Sequence, residues 1–174
     1  MMVSLIQSNY RGMGSGMAPG NLGFILQDRG QLFALEEVHA NVYAPGKRPF
    51  QTIIPAFITR DGKPWVSFGV MGANMQPQGH VQTLVRLLNH GQSLQAVCDA
   101  PRWRFNPQQR LNLEHGVPEA SVLGLKKRGH VLDQIDDSYQ DFGAGQFIWR
   151  LGDPAVEGYA AASDARRDGL AAGF

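Results

Sequence analysis

The chain has 174 residues, a formal net charge of +1 and 18% charged residues, so it is long enough for one domain with a real core and too evenly charged for a polyanion partner. Its longest basic run, Lys126-Lys127-Arg128, falls where a helix should end and is read as complementing the helix dipole, not as a nucleic-acid patch. The lone Cys98 excludes an intramolecular disulfide and a cysteine metal cluster; no apolar stretch approaches a membrane span, no signal peptide is visible, and the compartment, cytoplasmic or periplasmic, is left open.

Val3 to Ser8 is β-rich with partial alternation and breaks into Gly12-Met13-Gly14-Ser15-Gly16, a flexible loop. A second strand is expected over Leu22 to Leu26, followed by an irregular stretch over 34–51 with Pro45-Gly46 as a turn signal. Ile53 to Thr59 and Trp65 to Val70 flank Arg60-Asp61-Gly62-Lys63 and predict a hairpin. Val81, Leu84, Val85 and Leu88 recur at helical spacing and predict an amphipathic helix stopped by Gly91. A shorter helix is expected between Ser93 and Pro101, with Cys98 as a small core residue, and a third from Pro118 to Arg128 with Gly129 as its stop. Val131 to Ile135, Gln146 to Leu151 and Gly158 to Ala162 complete the strand candidates. Strands, then helices, then strands, without βαβ alternation, favour α+β layers in one domain without repeat or linker.

Most chemical motifs fail on inspection. The glycine loop over 12–16 lacks the Lys-Ser/Thr ending of a phosphate cradle, and no helix pattern follows it. The five histidines, His39, His80, His90, His115 and His130, have no zinc-type spacing and are assigned surface or capping roles. The Trp and Phe residues are scattered among apolar strands and read as core and not as a stacking platform. Gly72-Ala73-Asn74 differs, because acyl transfer needs backbone N–H donors aimed at a developing oxyanion and small residues let the carbonyl approach.

Four segments together, Gln7-Ser8-Asn9-Tyr10, Pro45-Gly46-Lys47-Arg48-Pro49-Phe50-Gln51-Thr52, Gly72-Ala73-Asn74-Met75-Gln76-Pro77-Gln78-Gly79-His80 and Ala162-Ser163-Asp164-Ala165-Arg166-Arg167-Asp168-Gly169, resemble in order the small subunit of the gamma-glutamyltranspeptidase family. The resemblance covers almost all of residues 1–174 and implies part of the αββα four-layer sandwich of the N-terminal-nucleophile hydrolases. It also implies attack on an amide carbonyl by a threonine freed through self-cleavage, with the threonine's own amine as base. That threonine and its strand would precede Val3, whereas this chain opens at Met1-Met2, so the domain reads as N-terminally truncated and the isolated chain is expected to be inactive.

Carried over residue by residue, the resemblance makes Gly72 and Ala73 the oxyanion donors; Ala73 stands where the family has a second glycine but keeps its N–H. Ser8 takes the place of a hydroxyl residue that orients the nucleophile. Arg29 and Leu32 stand where gamma-glutamyl enzymes carry the Gln and Asp that hold the α-carboxylate and α-ammonium, Gln51-Thr52 where they carry a serine pair, and Tyr10 at a further polar position. Leucine cannot hold an ammonium, whereas arginine can clamp a carboxylate. The resemblance therefore implies a carboxylate-terminated acyl group, as in glutaryl-cephalosporin acylases and oxamate amidohydrolases, within a gamma-glutamyltransferase-like enzyme of the glutathione-metabolism type. Its expected partners are the large subunit of the same precursor, a small acyl amide and further copies of itself, with no nucleic acid, membrane, metal or organic cofactor. The competing expectation is a non-catalytic binding or structural module that has lost the catalytic strand.

Overall fold

The computed structural model describes residues 1–135 and 142–173. They divide into two compact units, one of Leu5–Ile53 and one of Met1–Ser4 with Ile54–Phe174.

In the larger unit, strand β1 (Ala56–Arg60) turns into β2 (Lys63–Met71) as the expected hairpin. Asp61 and Gly62 both take positive φ, 52° and 72°, the geometry that matches the twist of paired strands. With β6 (Ala144–Arg150) and β7 (Tyr159–Ser163) they form an antiparallel sheet in the order β1-β2-β6-β7. Helices α1 (Met75–Leu84) and α2 (Leu94–Asp99) pack against it, α1 on β2 and α2 on β6 and β7. Alternation puts Val66, Phe68 and Val70 of β2 on the helix side, where they meet Leu87, Leu94, Val97, Cys98, Phe147 and Ala162 in one core. Phe68 and Phe147 stack across neighbouring strands with ring centroids 5.5 Å apart. Burying each such side chain is worth about 1.5–3 kcal/mol, so this face is the main source of stability. Ser93 caps α2 by accepting the Ala96 N–H, as its position after the loop implies.

Two expectations fail here. The first concerns the apolar stripe at Val81, Leu84, Val85 and Leu88: Leu84 packs against the core, but the other three face outward, Val81 being 58% and Leu88 48% exposed. The helix lies on its small and polar side instead. Gly79 comes so close to β2 that an added Cβ would lie 2.8 Å from Val70 Cγ1, and His80 accepts the Val70 N–H at Nε2, 3.0 Å away. His80 is thus a buried strand-to-helix tie and not a surface or capping residue. Past Leu84 the helix widens into a π-turn over Val85–Asn89, which rotates Leu87 into the core.

The second concerns topology. Two strands outside the sequence expectation, β3 (Trp103–Phe105) and β4 (Leu111–Glu114), form a second sheet with β5 (Leu132–Ile135). β4 and β5 run parallel and are joined through α3 (Glu119–Lys127), so the unit does contain one β-α-β crossover. β4 is four residues long and buried throughout, too short to show a period.

Met1–Ser4 lies along β2 without forming a ladder. Ser67 Oγ donates to the Val3 carbonyl at 3.0 Å, and Ser4 Oγ donates to the Phe68 carbonyl at 3.2 Å.

The smaller unit is mostly turn and loop. The strands expected at Val3–Ser8 and Leu22–Leu26 do not form as such. Gly12, Gly14 and Gly16 all have positive φ and break extended backbone before it can pair. Single bonds replace a ladder: Leu26 N–H to the Met17 carbonyl and Ser15 N–H to the Leu26 carbonyl, both 2.9 Å, and Asp28 N–H to the Asn9 carbonyl at 3.1 Å. A 3₁₀ turn over Arg29–Leu32 follows.

Candidate functional site

In the smaller unit the expected substrate residues converge on one guanidinium. Arg29 is 4% exposed. Its Nε donates to Thr52 Oγ1 at 2.8 Å, Nη1 to the Ser8 carbonyl at 3.1 Å and, more weakly, to Gln27 Oε1 at 3.5 Å, and Nη2 to Ser8 Oγ at 2.9 Å. Residues 8, 29 and 52 are thereby joined around one cation. Every acceptor is a neutral oxygen, and no ion pair links Arg29 to a carboxylate among the described residues. A buried cation without an anion is costly, so this pocket favours a negative guest. Of the five guanidinium N–H groups, one on Nη2 has no acceptor among the described residues.

Ser8 is constrained in a second way. Its Oγ accepts from Arg29 Nη2 and also from the Tyr10 N–H at 2.9 Å, so both lone pairs are used and the hydroxyl proton is left to be donated. The Tyr10 bond holds that residue at φ 80°, a strained value for a non-glycine, which folds the chain back over Ser8. Gln51 Oε1 accepts the Thr52 N–H at 2.9 Å and fixes the backbone that presents the threonine. Leu32 offers no charge; its carbonyl accepts from Asn41 Nδ2 at 2.7 Å.

In the larger unit, β2 ends in the turn that carries Gly72 and Ala73, at φ 133° and 50°. Their carbonyls accept the N–H groups of Met75 and Gln76, at 2.9 and 3.1 Å, and so begin α1. Their own N–H groups have no hydrogen-bond partner among the described residues. Asn74 provides no side-chain cap, so the positive end of α1 is uncovered beside them. Gly72 is required by space as well as by torsion, because a Cβ there would lie 2.9 Å from Gly143 Cα and 3.2 Å from Met75 Cβ. Consecutive N–H donors in such a turn can bind an oxyanion.

A third cluster has no counterpart in the sequence expectation, although Asp164 and Arg166 lie in the segment that carried the resemblance. Arg102 and Asp164, each 1% exposed, pair at 2.5 Å. Asp164 also takes the Gly145 N–H at 2.8 Å and Arg166 Nη1 and N–H, both at 3.0 Å. Arg166 in turn grips Glu114 through Nε at 2.6 Å and Nη2 at 2.5 Å, while Glu114 Oε2 accepts the Arg102 N–H at 2.8 Å. Burial pushes the Asp164 carboxyl up. The Arg102 charge, the two backbone N–H groups and the Arg166 charge outweigh that push and hold it below the usual carboxylate range. Neither Arg102 nor Glu114 carries a local sequence signal of its burial.

Two groups nearby are chemically quiet. Burial, then the Asp164 charge, drive the Cys98 thiol up to about 12, which removes it as a nucleophile. His80 must be neutral, with its proton on Nδ1, because Nε2 accepts a backbone N–H; burial lowers its pKa in agreement. Among the described residues no group of His, Cys, Asp and Glu is arranged to hold a metal ion, and no helix is long and apolar enough to cross a membrane.

A family model described as Gamma-glutamyltranspeptidase matches residues 1–174. The chain is 33% identical over 177 residues to the Glutathione hydrolase-like YwrD proenzyme of Bacillus subtilis, covering 99% of this chain and 33% of that protein. It is 34% identical over 180 residues to the Oxamate amidohydrolase proenzyme of Klebsiella pneumoniae, covering 100% of this chain and 33% of that protein. The solved cephalosporin acylase from Bacillus halodurans is 40% identical, with a TM-score of 0.89 over 97% of this chain and 31% of that one. The chain thus spans about a third of the length of the curated relatives it matches.

Proposed function

Because the chain belongs to the gamma-glutamyltranspeptidase family and has the α+β fold of its N-terminal-nucleophile hydrolases, we propose that it is the small-subunit region of an amidase or acyltransferase acting on acyl groups that end in a carboxylate. The single observation that carries the acyl specificity is Arg29, a buried cation whose contacts are all neutral. A carboxylate on the substrate supplies the missing charge and takes the remaining Nη2 N–H, with Thr52, Gln51 and Tyr10 shaping the pocket around it. Leu32 provides nothing for an α-ammonium, which disfavours a gamma-glutamyl group.

In this reading a threonine hydroxyl, supplied from outside residues 1–174, attacks the amide carbonyl while its own α-amine takes the proton. The Ser8 hydroxyl donates its one proton toward that nucleophile and orients it. The N–H groups of Gly72 and Ala73 stabilise the tetrahedral oxyanion, a kind of contact whose loss typically costs about 10²–10³ in rate. The C–N bond breaks, the amine leaves with the proton, and an ester to threonine remains. Water or an acceptor amine then takes the acyl group and restores the hydroxyl. The large subunit of the same precursor is the partner this reading requires, and homo-oligomers are the expected assembly.

The test is made on the full-length gene product, comparing a glutaryl anilide with a gamma-glutamyl anilide. The unmodified protein is expected to prefer the glutaryl substrate. Arg29→Gln combined with Leu32→Asp rebuilds the glutamate-type pair and should move the ratio of kcat/KM toward the gamma-glutamyl substrate. A ratio that stays in place shows that the acyl pocket lies elsewhere, and no turnover of either amide would favour the non-catalytic module.

A further inference from the structure

Arg102 is fully buried and directs its Nη donors mostly at backbone. Nη1 reaches the carbonyls of Phe142 and Gly143, at 2.9 and 3.2 Å, and Nη2 the Cys98 carbonyl, at 3.4 Å, besides the Asp164 carboxylate. Its Nε has no hydrogen-bond partner among the described residues, so the guanidinium is oriented by the oxygens around its two Nη groups. Asp164 Oδ2, held by Arg102, also takes the Gly145 N–H. The bend over residues 142–145 that enters β6 is therefore gripped at two carbonyls and one N–H by a single buried ion pair.

That bend is what the Gly72–Ala73 turn rests on. Met71 and Ala144 are the last paired residues of the β2–β6 ladder, so no sheet pairing holds the chain beyond Met71. Past that point the support is backbone against backbone. A methyl on Gly143 would lie 1.9 Å from the Met71 carbonyl oxygen, and a methyl on Gly72 would lie 2.9 Å from Gly143 Cα. In both contacts the nearest atom across is backbone, with the Met75 and Val70 side chains farther off. Close-packed backbone transmits displacement, because a compliant layer is absent.

We infer that Arg102 is a positioning residue for the Gly72–Ala73 turn: by fixing the Phe142 and Gly143 carbonyls it sets the height of Gly143 and, through it, the direction of the two N–H groups. The inference rests on the reading of this turn as the oxyanion site. Oxyanion donors act only near hydrogen-bond distance from the developing charge, and a displacement of about 1 Å can cost about 10²-fold in rate. The buried ionic cluster thus belongs to the catalytic geometry as well as to the core.

The test has two arms. In the 174-residue chain, Arg102→Lys keeps the charge that pairs with Asp164 but replaces the planar fork with a compact ammonium that cannot reach the same set of oxygens. The backbone amide resonances of Gly72 and Ala73 should shift and their hydrogen exchange should quicken. Should Arg102→Lys fold poorly, Gly143→Ala perturbs the same contact while leaving both partners of the ion pair in place and should move the same two amides. In the full-length gene product, at a temperature where both variants are folded, kcat for a glutaryl anilide should fall about tenfold or more with KM within about twofold, the signature of a contact made in the transition state. A purely structural role would lower the melting temperature and leave kcat alone, and that result overturns the inference, as do amides that stay in place in both variants. Gly72→Ala tests the reading underneath: at full kcat it would remove the oxyanion assignment itself.

Discussion

Replacing Asp164 by asparagine should cost this chain far more stability than any surface substitution. The carboxylate accepts four hydrogen bonds, two on each oxygen: Arg102 Nη2 and the Gly145 N–H on Oδ2, and the Arg166 N–H and Nη1 on Oδ1. An amide can serve one side as an acceptor. Its NH₂ then faces either two donors of Arg166 or the pair from Arg102 and Gly145, so donor meets donor and a buried guanidinium loses its anion. Breaking a buried ion pair from one side costs about 3–5 kcal/mol. For a chain of this size, about 2–4 °C is lost per kcal/mol, so the melting temperature should drop by roughly 6–20 °C. The assay is thermal and urea unfolding of the isolated chain, with Asp133→Asn as control. Asp133 pairs with Arg110 on the surface, where solvent screens the charge, and its loss should leave the midpoint almost unmoved. The sign with pH follows: Asp164 has a depressed native pKa, so its contribution is present above the unfolded value of about 3.9 and is lost as pH falls through the native one. Equal midpoints for Asp164→Asn and Asp133→Asn would refute the account of the buried cluster.

Two further outcomes are expected. His80 is held neutral in the fold, so its folded pKa lies below the unfolded value of about 6.5, and stability should be full above that pH and decline below it by at most about 1.4 kcal/mol per pH unit. His80→Gln keeps an acceptor for the Val70 N–H and should flatten that slope between pH 7.5 and 5.5 in urea titrations; an unchanged slope would assign the acid sensitivity to another group. On the proposed mechanism, which draws both attacking oxygen and base from a threonine outside residues 1–174, the isolated 174-residue chain should show no turnover of a glutaryl or gamma-glutamyl anilide above a buffer blank. Turnover free of host enzyme would overturn the assignment.

Local chemistry was legible in the sequence wherever a few adjacent residues decide the outcome. The Asp61-Gly62 hairpin turn, the Ser93 cap, the Pro118 start and Gly129 stop of α3, and the glycine-led turn at Gly72 are all set by torsional preference and nearest neighbours. The resemblance also groups Ser8, Arg29 and Thr52, and the structure joins them around the guanidinium. What the spacing could not show is how the donors are used. The two-pronged carboxylate clamp expected of Arg29 has one free N–H, because Ser8, Gln27 and Thr52 hold the others.

Tertiary structure alone decided which face of α1 is buried. Helical periodicity picks out Val81, Leu84, Val85 and Leu88, of which Leu84 alone packs on the core; close approach of the helix to β2 needs a residue without a side chain at the contact, and Gly79 supplies it with His80 beside it as the hydrogen-bond tie. The same holds for Arg102, Glu114, Asp164 and Arg166. Each reads as an ordinary surface charge in its own segment, and each becomes affordable inside only because chain folding brings opposite charges and backbone dipoles from distant positions to within hydrogen-bond distance. Pairing of that kind has no local signature, since its energy exists only once the partners have met.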